Sequence, residues 1–277
     1  MMSSAVNGAA VTGYTGETVE AYERGRPGYD DETLDTVLAL AFPETDDERS
    51  DPVAIVELGA GTGKFTASFL GALDARGCKA TMTCVEPVCG MREALARKLG
   101  DRVEVVDGTA EKTTLPSASA DVVIAAQAFH WFATEDTLRE VHRLLRPGGL
   151  LVVLWNIRDM DVPWVRELEE DIIAPQYPPS VPRQQSGKWR EVFHSAAGRE
   201  LFKPLEDRYH KTVQLADRNT LLARVMSTSV IGARPPEERV KVRAMVEAFL
   251  DSHADKKDAE GRYPLAHVAQ LHWTWRL

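Results

Sequence analysis

From Val53 to Asn156, short apolar runs alternate with segments of helical pattern, and this alternation narrows the available folds more than any other feature. The runs are VAIVELG, TMTCVEP, VEVVDG, ADVVIAAQA and LLVVLWN, with KFTASFLGALDARG, CGMREALARKLG and TEDTLREVHRLLRPGG between them. Strands joined by helices at this spacing build βαβ units, and so a mostly parallel, doubly wound α/β sheet with helices on both faces. Upstream, YERGRPGYDDETLDTVLALAF runs from a turn into a helix, with Leu34, Val37, Leu38 and Ala41 on one face. Downstream, EDRYHKTVQL and YPLAHVAQLHWTW read as strands, and RNTLLARVMSTS and EERVKVRAMVEAFLDSH as helices. The pattern predicts a single domain over residues 14–277, closed by an antiparallel last strand. Within it, 14–156 form the regular core, 157–203 an irregular insertion with a helical stretch around VPWVRELEEDIIA, and 204–277 the completion of the sheet. Residues 1–13 carry no apolar period and are expected to be mobile.

Charge and composition exclude several classes. With 33 Lys+Arg against 42 Asp+Glu the net charge is −9, which argues against nucleic acid as a partner, because that needs a basic surface. No apolar run reaches the length of a membrane span. The start of the chain has neither the basic start nor the apolar core of a secretory signal. Cys78, Cys84 and Cys89 have no CxxC spacing, and the scattered histidines His194, His210, His253, His267 and His272 no ligand spacing. The expectation is a reduced, cytoplasmic protein without a metal centre.

The most informative segment is Glu57-Leu58-Gly59-Ala60-Gly61-Thr62-Gly63-Lys64-Phe65, between a strand and a helix. Its glycines allow a tight turn and close approach of a ligand to backbone N–H groups at a helix start. A phosphate loop requires G-x-x-x-x-G-K-[ST], but Leu58 stands five residues before Gly63 and Phe65 follows the lysine. The dinucleotide fingerprint G-x-G-x-x-G, counted from Gly59, would place its last glycine at Lys64. What remains is E-x-G-x-G-x-G. A second acid, Glu86, ends the next strand, where a carboxylate can accept the hydroxyls of a ribose. DGTAEKTTLP follows the third strand, and QAFHWF follows the fourth, at the ends where a doubly wound sheet opens its crevice.

In order and spacing these segments, with LREVHRLLRPGGLLVVLW, resemble the class I S-adenosylmethionine-dependent methyltransferases from about Tyr14 to Asn156. QAFHWF and YERGRPGY further resemble the type 11, trans-aconitate methyltransferase-like group of small-molecule enzymes. The resemblance implies a Rossmann-like fold, S-adenosyl-L-methionine as cofactor and a small-molecule methyl acceptor. It implies that Glu57, Gly59, Gly61 and Gly63 wrap the methionyl part and ribose, with Glu57 holding the ammonium group directly or through water. Glu86 takes the ribose hydroxyls, Thr109 and Ala110 lie beside the adenine, and Gln127 lines the crevice. Thr109 stands where many relatives carry Asp. Tyr14, Tyr22, Phe129 and Trp131 are candidates either to face the sulfonium or to pack in the core, and Arg26 to grip a carboxylate acceptor together with Arg158, to hold the cofactor's carboxylate or to pair with an acidic neighbour.

Two residues are candidates on the acceptor side. His130 suits deprotonation of a hydroxyl, thiol or amine, or shapes the pocket by hydrogen bonding. Arg158 suits a carboxylate acceptor, gripped bidentately. Trp155, Asn156, Trp164, Tyr177 and Trp189 either line an acceptor pocket or form the insertion's own core. The insertion and the Tyr14–Tyr29 segment are expected to form a lid. The alternative function is a cofactor-binding regulatory protein without turnover, since fold alone does not imply function.

Overall fold

The computed structural model describes residues 23, 25–43 and 51–277. Helix α1 (Asp31–Ala41) starts where Asp30 accepts a hydrogen bond from Thr33 N–H, and buries Leu34, Val37, Leu38 and Ala41. There follow β1 (Val53–Leu58), α2 (Lys64–Arg76), β2 (Ala80–Val85), α3 (Cys89–Leu99), β3 (Glu104–Val106) and β4 (Ala120–Ala126). After α4 (Glu135–Leu144) come β5 (Leu145–Arg158), α5 (Pro163–Glu167), α6 (Ala196–Leu201), β6 (Glu206–Ala216), α7 (Arg218–Met226), α8 (Pro236–Ser252) and β7 (Tyr263–Trp275).

The seven strands lie in the order β3-β2-β1-β4-β5-β7-β6. Five of them, β3 to β5 across the sheet, are parallel to their neighbours, and the last strands are antiparallel. This is the doubly wound, mostly parallel sheet expected from the alternation of apolar runs, closed by antiparallel strands. The order reverses between β1 and β4, which are adjacent although two strands separate them in sequence. Connections leave these two strands toward opposite sides, so a crevice opens at their C-terminal ends. Gly59 follows β1 there, and Gln127 follows β4.

The helix read from the sequence as ending before RPGG, with basic residues in its last turn, is α4, which stops at Leu144 with His142 and Arg143 in that turn; Leu145 already pairs with Ala120 of β4. The residue before a proline is disfavoured in the helical region, which brings the end forward from Arg146.

The chain falls into two compact units, each built from separated stretches. Unit 2 comprises Gly28–Trp155, Pro182–His210 and Gln270–Leu277. Unit 1 comprises Met1–Pro27, Asn156–Val181 and Lys211–Ala269. Of unit 1, residues 1–22 and Arg24 lie outside the described residues. Its core is its own: Trp164, Val165 and Leu168 pack with Leu221 and Val225 of α7, Val242 and Val246 of α8, and Tyr263 of β7. The phenol of Tyr263 donates to Leu250 O at 2.8 Å. The segment read from the sequence as one insertion, 157–203, is thus divided between units after Val181. No helix among the described residues is long and apolar enough to cross a membrane.

Candidate functional site: the crevice of unit 2

The turn after β1 is held open by backbone conformations that favour glycine. Gly59 and Gly61 have φ of 67° and 58°, in the left-handed region. At Gly59 a Cβ would also stand 2.8 Å from the Ala128 Cβ, so the loop after β1 and the loop after β4 touch where only hydrogen fits. Gly61 differs, because its Cβ would meet only the Met91 Sδ at 3.7 Å. Gly59 N–H donates to Val85 O at 2.8 Å, fastening the loop to the tip of β2.

Glu86 stands directly after β2 and is 4% exposed. Its Oε2 accepts from Gly61 N–H at 2.8 Å and its Oε1 from Val88 N–H at 2.9 Å. Burial raises its pKa, opposed by those two N–H groups and by the Arg92 charge. Arg92, which the sequence reading did not single out, donates to Glu86 O, Pro87 O and Asp107. It ties the tip of β2 to the segment after β3. A carboxylate at a strand tip, beside a glycine loop and at a switch in strand order, is a donor-and-acceptor set that suits a ribose.

Glu57 lies deeper. It is 1% exposed, and its Oε2 accepts from the Thr66 hydroxyl of α2 at 2.6 Å. Burial pushes its carboxyl up to about 8, with Thr66 opposing and Glu86 adding to the rise. Near neutral pH its protonated form dominates, so a first task of Glu57 is to position the loop through Thr66. Burial, then Glu57, also push the Cys84 thiol far upward, which makes it an inert core residue.

The loop after β3 is closed by a reciprocal pair: Thr109 N–H to Lys112 O at 3.2 Å and Lys112 N–H to Thr109 O at 3.1 Å. Ala110 at its turn is buried. Glu140 of α4 stakes this loop by accepting from Thr113 N–H and its hydroxyl. Partial burial works against the Glu140 charge, but bonds from Arg143 and Thr113 hold its pKa at about 2. Neither Glu140 nor Arg143 has a local signature that could have marked it as a loop anchor.

On the other side of the crevice Gln127 takes φ of 62°, a left-handed conformation uncommon outside glycine. It turns the chain from β4 into the short turn Phe129–Trp131. Phe129 is wholly buried against Phe132, Phe193 and Trp189, so it is core. Trp189 is also buried, with its ring 4.6 Å from that of Trp155. Trp155 Nε1–H donates to His130 Nδ1 at 3.1 Å. An indole can only donate, so Nδ1 accepts and the neutral imidazole carries its proton on Nε2. In this geometry His130 offers a donor, which favours the hydrogen-bonding reading over the general base. The Trp131 ring lies 5.1 Å from that of His130.

Unit 2 thus contains Glu57, Gly59, Gly61, Gly63, Glu86, Thr109, Ala110, Gln127, His130 and Trp131. Arg26 and Arg158 belong to unit 1. Arg158 donates to Glu169 Oε2 at 2.6 Å, an intramolecular partner the sequence reading did not foresee. Of the aromatic cluster after β5, Trp164 and Tyr177 lie in unit 1 with Asn156, whereas Trp155 and Trp189 lie in unit 2. Tyr14 and Tyr22 lie outside the described residues.

Known proteins share both this sequence and this fold. The family described as "Methyltransferase domain" matches over residues 56–153. A methyltransferase-like protein of Schizosaccharomyces pombe is 32% identical over 230 residues, 83% of this chain and 82% of the relative. An uncharacterized methyltransferase of Mycobacterium tuberculosis is 40% identical over 157 residues, which is 57% of this chain. That match spans only 58% of the mycobacterial protein's length. Among solved structures, one from Anaeromyxobacter dehalogenans, assigned as a type II methyltransferase, has a TM-score of 0.60 at 21% identity, covering 91% of this chain and 97% of that one. A phosphoethanolamine N-methyltransferase from Haemonchus contortus, solved with phosphomonomethylethanolamine and S-adenosylhomocysteine, has a TM-score of 0.53 at 13% identity, covering 99% of this chain and 60% of that one.

Proposed function

Because this chain belongs to the class I S-adenosylmethionine-dependent methyltransferases, we propose that it transfers a methyl group to a heteroatom of a small-molecule acceptor in the crevice of unit 2. The observation that carries the reading is the pairing of Glu86 with the Gly59–Gly63 loop, two elements brought together at the switch in strand order. S-adenosylmethionine supplies an electrophilic methyl on a sulfonium, with a neutral thioether as leaving group. No acid or metal is required to release that leaving group. The chain's own residues then bind and align. Glu86 accepts the ribose hydroxyls, the glycine loop follows the methionyl part, and Thr109 and Ala110 flank the adenine. Gln127 and Trp131 line the opposite wall. His130, held by Trp155, donates through Nε2–H to an acceptor oxygen and orients it, and much of the rate enhancement comes from such alignment. A net charge of −9 favours a small acceptor over a nucleic acid.

Two results test this. S-adenosylmethionine and S-adenosylhomocysteine should each raise the melting temperature, because a ligand of the native state stabilises it. Purified protein given methyl-labelled cofactor and a metabolite extract should pass label to a small molecule. Binding without any transfer would instead support a regulatory cofactor-binding protein. The role of Trp155 has its own signature. Trp155→Phe removes the indole donor and frees His130 Nδ1. In that variant kcat should fall about tenfold, the loss of roughly one well-placed hydrogen bond, and an ionisation near the ordinary histidine range should enter the pH profile. A variant with the wild-type pH profile would remove Trp155 from this role.

A further inference from the structure

The imidazole of His130 is held by the Trp155 indole, and that indole is itself backed by a second one. Trp155 is 1% exposed, and its ring lies 4.6 Å from that of Trp189, which is 2% exposed. The buried Trp189 Nε1–H has no hydrogen-bond partner among the described residues, so no directional bond from its own polar atom fixes this ring. Aromatic edges and a charge meet it instead. Phe129 and Phe193 stand at right angles to it, and the Arg190 guanidinium lies 4.4 Å from its centroid. An indole face is the best aromatic partner for a cation.

The guanidinium is anchored at its other end. Arg190 Nη2–H donates to His272 Nε2 at 3.2 Å. A guanidinium has no acceptor, so this ring nitrogen accepts and the neutral imidazole carries its proton on Nδ1. Burial first, then the Arg190 charge, hold the His272 pKa at about 4, with Asp207 opposing. The His272 ring closes against Trp189 at 4.9 Å and Trp155 at 6.1 Å. Trp189 and Arg190 share the short helical turn Lys188–His194, and Arg190 N–H donates to Gly187 O at 3.0 Å just before it. All these residues belong to unit 2, as does His130. We propose that Arg190 is a positioning residue for His130. Clamped between His272 and the face of Trp189, it fixes Trp189 against Trp155 and so keeps Trp155 Nε1–H aimed at His130 Nδ1. It acts through two indoles rather than on the acceptor itself. The inference rests on the role given to His130 in the proposed transfer. Lysine would keep the charge but could not lie flat on the indole and donate to His272 at once.

The first test reads His130 with no ligand present. In the full chain carrying isotope-labelled histidine, NMR separates protonated from unprotonated ring nitrogens, and the His130→Gln variant identifies the signals that belong to His130. Wild type should show Nε2 protonated and Nδ1 bare. In Arg190→Gln the ratio of that tautomer to its alternative should fall about fivefold, the worth of one cation–π contact. Arg190→Lys should recover part of it. The second test is kinetic. Arg190→Gln should lower kcat about fivefold and leave the KM for the cofactor unchanged. Trp155→Phe lowers kcat about tenfold, so independent effects would multiply to about fiftyfold in the double variant, whereas action through Trp155 keeps it near tenfold. Each variant is checked for a cooperative thermal transition. If Arg190→Gln does not fold, His272→Leu, which removes the anchor of Arg190, takes its place with the same expected direction. An unchanged His130 tautomer in the folded variant would overturn the proposal, as would a multiplied loss in the double variant. Wild-type protein that transfers no label would overturn the methyltransferase reading, while the tautomer ratio would still decide this one.

Discussion

Glu86→Gln should weaken S-adenosylhomocysteine binding by about ten- to a hundredfold, the range for losing charge-assisted hydrogen bonds to a ligand. The substitution keeps the side chain's shape and one amide oxygen. Glu86 now accepts from both Gly61 and Val88 N–H groups, and a single amide oxygen serves only one of these positions well. The loss should fall on cofactor affinity, with the rate at saturating cofactor much less affected. Titration calorimetry measures the first and initial rates the second. An unchanged affinity would remove Glu86 from the ribose site, whatever happened to the rate.

The second large effect is a pH dependence of stability that Glu57→Gln abolishes. The Glu57 carboxyl titrates near 4.5 in its ordinary state and at about 8 in the folded chain. A raised folded pKa means that the folded state binds the proton more tightly. The stability it contributes is therefore full below about 4.5 and is lost as pH rises through about 8. If the whole shift is realised, the loss by pH 9 is roughly 5 kcal/mol. Glutamine can still accept from the Thr66 hydroxyl but cannot ionise. Wild type and variant should thus be of similar stability at pH 5, and the variant should be clearly more stable at pH 9. Denaturant unfolding at several pH values reads this directly. Parallel curves would mean that the carboxyl is ionised in the folded state at neutral pH.

What could be read from the sequence was what neighbouring residues decide. The strands and helices follow from local apolar periods, and β7 begins and ends where its alternation does. The glycine loop and Glu86 were legible because a turn after a strand and an acid at a strand tip are local statements. The partners of His130 and Arg158 were not. Trp155 reaches His130 across 25 residues, and Glu169 lies on an irregular helical segment with no motif. Those two contacts decide what each residue can do, a donor in one case and a held guanidinium in the other. The division of residues 157–203 between units follows from contacts distant in sequence, which local periodicity does not encode.

The strand order has a consequence for how the protein is made. β7 is the last of the seven strands to leave the ribosome, yet it takes an interior place, between β5 and β6. Until it arrives, β5 has an open edge and β6 has no neighbour with which to pair. The nascent chain therefore carries unpaired strand edges from the making of β5 until β7 is made, the kind of surface on which chains associate wrongly. Unit 1 reaches completion only when Ala269 has been added, and unit 2 only with the residues after it. Folding of both thus waits until β7 and the residues after it have been made, and a chain stalled before Tyr263 would be a substrate for chaperones rather than a smaller working protein.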